Sequence, residues 1–182
     1  MARQVDAGRR DRIIDAAVDC IAEQGVAGTS HRAVAKRTGV PLGSMTYHFS
    51  GIDELLYEAF HRFTQRIRDI VQRRFQHTEG PADAIDAVIS LIYDDFGEDQ
   101  NIYHLTYELY AIASHRAEFR PLVHEMIDAG FTALRAHFDE ATARAINTYI
   151  EGASTHLTLD TRPQSVDQMR HALQRLAGLD AR

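Results

Sequence analysis

Apolar residues recur at three- and four-residue intervals along almost the whole chain, and no stretch sustains period-two alternation. Those spacings bring side chains to one face of a helix, so the pattern predicts an all-α protein without a convincing strand. A first helix is expected over residues 9–24, with Ile13, Ile14, Ala17, Val18 and Ile21 on its buried face and Gly25 as its stop. A short helix over 31–37 follows, capped by Ser30 and ended by Gly39, and a third occupies 41–48. Ser50-Gly-Ile-Asp53 has capping-box spacing and opens a long helix to about residue 77, burying Leu56, Phe60, Phe63, Ile67 and Ile70. Further apolar stripes place helices at about 82–96, 101–116, 119–138, 140–158 and 164–177, and Pro41, Pro81, Pro121 and Pro163 mark helix starts.

Two short helices joined by the turn Thr38-Gly39-Val40 and packed on a longer first helix are the parts of a helix-turn-helix. In such a motif the second short helix offers its N-terminal half to base edges in the major groove, while the first crosses the backbone. Gly43, Ser44, Thr46, Tyr47 and His48 then form the candidate contact surface, with Val40 and Met45 toward the core. Ser44 suits a base or phosphate hydrogen bond, the Thr46 methyl suits thymine, and Tyr47 and His48 have polar tips that reach phosphate oxygens. Arg32 suits a phosphate or a guanine. The competing roles are a surface salt bridge for Arg32 and, for Tyr47 and His48, cover for the junction with the long helix.

Composition bounds this picture. An apolar fraction of 45% over 182 residues is ample for a packed core. No apolar run is long enough to span a bilayer or serve as a signal peptide, which leads to the expectation of a cytoplasmic protein with no membrane partner. The single cysteine, Cys20, excludes an internal disulfide and falls in a helical apolar pattern, as a small buried hydrophobe does. The net charge of -6 looks unsuited to nucleic acid until the chain is divided at residue 50. Arg3, Arg9, Arg10, Arg12, Arg32, Lys36 and Arg37 give residues 1–50 a basic excess, whereas the remainder is strongly acidic. Local charge decides where a phosphate backbone docks, so only the N-terminal part suits it. The expected organisation is a DNA-binding domain over 1–50 and a helical bundle over 51–182.

The run Val40-Pro-Leu-Gly-Ser-Met-Thr-Tyr-His-Phe49, then Ser-Gly-Ile-Asp-Glu-Leu-Leu56, resembles the signature of the TetR/AcrR family of transcriptional regulators, and residues 9–39 are similar to that family's first two helices. The resemblance implies a homodimer with an N-terminal DNA-binding domain and a variable all-helical domain that binds a small-molecule effector and often represses. Matched position by position, it places DNA contacts at His31, Arg32, Ser44, Thr46, Tyr47 and His48. Three positions depart from the family pattern: Leu42 and Ile52 stand where lysine is common, and Thr46 where tyrosine is frequent. Lys36 is the only lysine in the chain, so backbone charge must come largely from arginine.

The resemblance also implies a four-helix dimer interface, matched here to about 119–158, where Gly130, Ala133, Gly152 and Ala153 permit close approach. The alternative for the same stripes is a single-chain core, since one amphipathic face can be buried either way. Two such subunits would present their reading helices about 34–36 Å apart, which calls for a near-palindromic site. For the effector, Phe63, Tyr93, Phe96, Tyr103, Tyr107 and Tyr110 could line an aromatic pocket or simply be core. His104 and Glu108, four apart, could anchor a polar ligand or form a surface pair. His124-Glu125 lacks the second histidine of a zinc-protease helix, and there is no Gly-rich phosphate loop or nucleophile elbow. No metal, cofactor or catalytic residue is expected. The alternative is a helical ligand-binding or enzymatic protein that keeps its N-terminal helices as scaffold.

Overall fold

The computed structural model describes residues 2–179, and all the regular structure in that range is helical. The side chains of Arg3 and Asp6, part of the N-terminal charge, lie outside the described residues. In chain order the helices are α1 (Ala2–Gly28), α2 (His31–Thr38), α3 (Leu42–His48), α4 (Ile52–Phe75), α5 (Pro81–Ser90), α6 (Gln100–His115), α7 (Arg120–Arg135), α8 (Glu140–Leu159) and α9 (Val166–Leu176). The periodicity reading therefore holds element by element. α1 begins well before residue 9, and α4 ends two residues short of 77.

Glycine and the caps explain the breaks. Gly25 has φ 70° and ψ 174°, a region that residues with a Cβ avoid, and it interrupts the helical run of α1. Ser30 accepts a hydrogen bond from the Ala33 amide, and Gly39 (φ 72°) ends α2 in the left-handed conformation. At the head of α4 the expected partner changes. Glu54, one residue beyond Asp53, takes both the Ser50 amide and the Ser50 hydroxyl at 2.7 Å, which holds its carboxyl below the ordinary range. Asp53 instead receives the Arg116 guanidinium at 2.7 Å.

After α5 the helix widens into a π turn, Leu91–Asp95, where the Phe96 amide reaches the Leu91 carbonyl. That deprives the Ile92 carbonyl of its usual partner, and the buried Tyr103 hydroxyl donates to it instead at 3.2 Å. Gly97 follows because a Cβ there would stand 2.2 Å from the Tyr93 carbonyl oxygen.

The contacts divide the chain into two compact units, and the division does not fall at residue 50. The first comprises residues 1–65 and 104–123, the second 66–103 and 124–182, so α4, α6 and α7 each contribute to both. In the first unit Ile13, Ile14, Ile21, Met45, Phe49, Phe60, Phe63 and Phe119 are sealed from solvent, and the Phe60 and Phe119 rings meet edge to face. Cys20 is buried among them and its thiol is pushed up by that burial. In the second unit Ile85, Val88, Ile89 and Ile92 pack with Leu134, Ala143, Ile146, Ile150, Ala153, Met169 and Leu173. Ile146, Ile150 and Ala153 are thus buried within one chain.

Candidate nucleic-acid interface

α3 is held by a single buried anchor, Met45, and by the Phe49 amide donating to the Met45 carbonyl at 2.9 Å. Burying that side leaves the opposite side outward. Tyr47 is 75% exposed, Leu42 is 48% exposed, and Thr46 and Gly43 also face solvent. Ser44 and His48 are half-buried, and the Tyr47 ring meets that of His48 edge to face at 5.1 Å. The Thr46 hydroxyl donates to the Gly43 carbonyl at 3.0 Å. Val40 is half-buried, whereas Met45 is sealed.

On α2, Arg32 and Lys36 are exposed and four apart, so they share a helix face. Among the described residues neither has an ion pair. Arg37, the third cation of that helix, is committed: it holds Asp19 at 3.1 Å and Glu23 at 2.8 Å. His31 is half-buried, and its Nε2 is enclosed without a hydrogen-bond partner among the described residues.

The electrostatics of this unit follow from the spacing of the acids on α1. Asp11, Asp15, Asp19 and Glu23 lie four apart and form one acidic row. Arg62 of α4 takes Asp11 at 2.6 Å and Asp15 at 2.7 Å, and Arg37 takes the other two. Each carboxylate has a guanidinium partner, so the row does not oppose the positive field of Arg32 and Lys36. Arg10 completes the clamp, 2.8 Å from Glu58 and 5.1 Å above the Phe49 ring. The arginine partners of the row lie up to 51 residues away in the sequence.

Comparison with known proteins then decides the family. A model of bacterial regulatory proteins of the tetR family matches residues 13–59. A solved structure assigned as a transcriptional regulator from Streptomyces coelicolor A3(2) is 40% identical, covers 93% of this chain and 98% of its own, and superposes with a TM-score of 0.86. The chain belongs to the TetR family.

A further TetR-family member from Streptomyces coelicolor A3 is 32% identical over 93% of this chain and 98% of its own, with a TM-score of 0.77. The multidrug binding protein EbrR, solved with ethidium, is 32% identical over the same shares of the two chains, with a TM-score of 0.78. Among curated proteins, the HTH-type transcriptional regulator PksA of Bacillus subtilis is 26% identical over 95% of this chain and 90% of its own. This TetR-family chain is accordingly a transcriptional regulator and not an enzyme. No helix among the described residues is long and apolar enough to cross a membrane.

The residues expected to line an effector pocket divide between the two units. In the first, Phe63 is sealed in the core, His104 is exposed, and Tyr110 is half-buried. The Glu108 carboxylate accepts from the Val26 amide at 2.8 Å and so satisfies the backbone at the Gly25 break, a role its spacing from His104 did not suggest. The Tyr107 hydroxyl is enclosed and has no hydrogen-bond partner among the described residues. In the second, the Tyr103 hydroxyl is engaged by Ile92 and the Tyr93 hydroxyl by the Gln164 carbonyl at 2.7 Å, while Phe96 meets Tyr103 edge to face. Burial raises the Tyr93 phenol above its ordinary value. The second unit also carries a groove of about 540 Å³ between Arg68, Val71 and Phe75 of α4 and Asp128, Ala129 and Thr132 of α7. None of the expected pocket residues lines it.

Proposed function

We propose that this TetR-family protein is a ligand-responsive repressor that binds a near-palindromic DNA operator as a homodimer and is released by a small-molecule effector. The observation that carries the DNA-reading part is the outward side of α3 together with Arg32 and Lys36 of α2, which have no ion pair among the described residues. It puts side chains for base edges and cations for phosphates on consecutive helices. His31, Arg32, Ser44, Thr46, Tyr47 and His48 are the proposed contacts, with Tyr47 the most accessible.

The dimer reading rests on α7 and α8, within about 119–158. Ile127 is exposed, Phe131 is half-buried beneath the Arg144 guanidinium at 4.7 Å, and Ala141, Ala145, Thr148 and Gly152 form an exposed row of small residues along α8. The effector reading is supported by the complexes of EbrR, described as a multidrug binding protein, with ethidium, proflavin and malachite green. The enclosed Tyr107 hydroxyl, without a hydrogen-bond partner among the described residues, is a polar group that such a ligand could use. A bound effector acts by shifting α4, and with it the spacing of the two reading heads.

The test is selection of duplexes from a random pool by the full-length protein, followed by titration of the selected site. A palindromic consensus bound by two chains, with affinity falling steeply as salt rises, is the expected result. Equal binding to random and selected duplex at every salt concentration would overturn the reading. Ethidium is the first probe for release. A reporter placed behind the selected site tests the sign of regulation, repression being expected.

A further inference from the structure

Four features of α3 converge. Leu42, its first residue, is 48% exposed although it is one of the most apolar side chains available. Thr46 lies one turn on, and its hydroxyl proton is committed to the Gly43 carbonyl at 3.0 Å. Nothing lies within 4 Å of the point where a Gly43 Cβ would stand, so a flat surface can approach the helix there. Finally, the sequence Leu42-Gly-Ser-Met-Thr-Tyr-His48 contains no Arg, Lys, Asn or Gln. Those are the side chains that form paired hydrogen bonds with guanine or adenine edges, so that mode of reading is absent from α3. At Leu42 and Thr46 the outward chemistry that remains is methyl groups, beside the exposed Tyr47. In the major groove the matching feature is the thymine C5-methyl, the one apolar group that distinguishes a base pair there.

We propose that Leu42, with the Thr46 methyl beside it, is a specificity-determining element that reads thymine through its 5-methyl group. The affinity of this protein for its operator then depends on thymine methyls more than on hydrogen bonds to bases. The proposal rests on the DNA-reading function above and deepens it. The half-site is therefore expected to carry thymine where the first turn of α3 lands.

The experiment uses the full-length protein and the duplex it selects from a random pool. Each thymine of the half-site is replaced in turn by deoxyuridine, which keeps every hydrogen-bonding group and lacks only the methyl. At one or two positions affinity should fall by about fourfold, the loss expected for one methyl group removed from an apolar contact. In Leu42→Ala that dependence should shrink toward unity at the same position, while the melting temperature stays within a degree or two because the side chain is half exposed. Leu42→Lys should steepen the salt dependence by about one counterion and weaken the preference for thymine over deoxyuridine. Selective binding that no deoxyuridine substitution changes would overturn this inference and leave the DNA-reading function standing. Failure to select any sequence would overturn the DNA-reading function, and the inference with it.

Discussion

The two compact units hold themselves together in different ways. The first combines an aromatic and aliphatic core with charge clamps whose partners are far apart in sequence: Arg62 on Asp11 and Asp15, Arg116 on Asp53, and Glu108 on the Val26 amide. The second adds to its aliphatic core distant ion pairs of its own, Arg66 on Asp99, Arg74 on Asp95 and Arg170 on Asp86, and tyrosine hydroxyls satisfied by backbone or amide groups, Tyr103 on Ile92 and both Tyr93 and Tyr149 on Gln164. The difference follows from what each surface must leave free. A unit that presents cations to a polyanion must neutralise its own acids, and paired guanidinium groups do so without spending Arg32 or Lys36.

The largest effects should come from the cores. Phe119→Ala in the first unit is expected to cost about 3–5 kcal/mol and Ile146→Ala in the second about 2–5 kcal/mol, read by urea denaturation. If the units are energetically distinct, each substitution should displace its own part of the transition. Identical shifts of one cooperative transition would remove the distinction.

Next in size, Tyr47→Ala should weaken operator binding by about tenfold or more with stability changed by less than about 0.5 kcal/mol, because the ring is mostly in solvent. Arg32→Ala should lower affinity for all sequences alike and reduce the salt slope by about one. A Tyr47 variant that melts early would place this residue in the core's service rather than at the DNA.

Gly25→Ala should destabilise by about 1–3 kcal/mol, since φ 70° with ψ 174° suits glycine almost alone. A methyl there also stands 2.8 Å from the Glu108 carboxylate, so the same variant loosens the cap on Val26. Arg62→Ala tests the clamp more gently. Exposed ion pairs contribute about 0–1 kcal/mol each, so stability should fall slightly, while operator affinity falls further because Asp11 and Asp15 are uncovered.

The smallest effect concerns acid. The Ser50 amide and hydroxyl hold the Glu54 carboxyl below its ordinary value of 4.5, so their stabilisation is fully present above that pH. It is lost as the pH falls through the lower, folded-state value. Glu54→Gln should remove this pH-dependent contribution, lowering stability slightly above pH 4.5 and leaving the acid end of the profile nearly unchanged.

Much of this molecule is legible before it folds. The helices, the left-handed Gly39, the Ser30 cap and the reading motif depend on residues within one or two turns of each other, and local spacing carries that information. The sequence by itself thus determined the all-α class, the helix-turn-helix and its family, and the basic bias of the N-terminal part. Only the tertiary structure decided which charges are spent and which remain. It put Glu54 rather than Asp53 on Ser50, sent Asp53 to Arg116, turned Glu108 from a candidate ligand anchor into the cap of α1, and left Leu42 facing solvent. The physical reason is range. A cap or a turn is settled by neighbours in the chain, whereas the partner of a guanidinium or a carboxylate is settled by which helices pack together, and that is written in no local pattern.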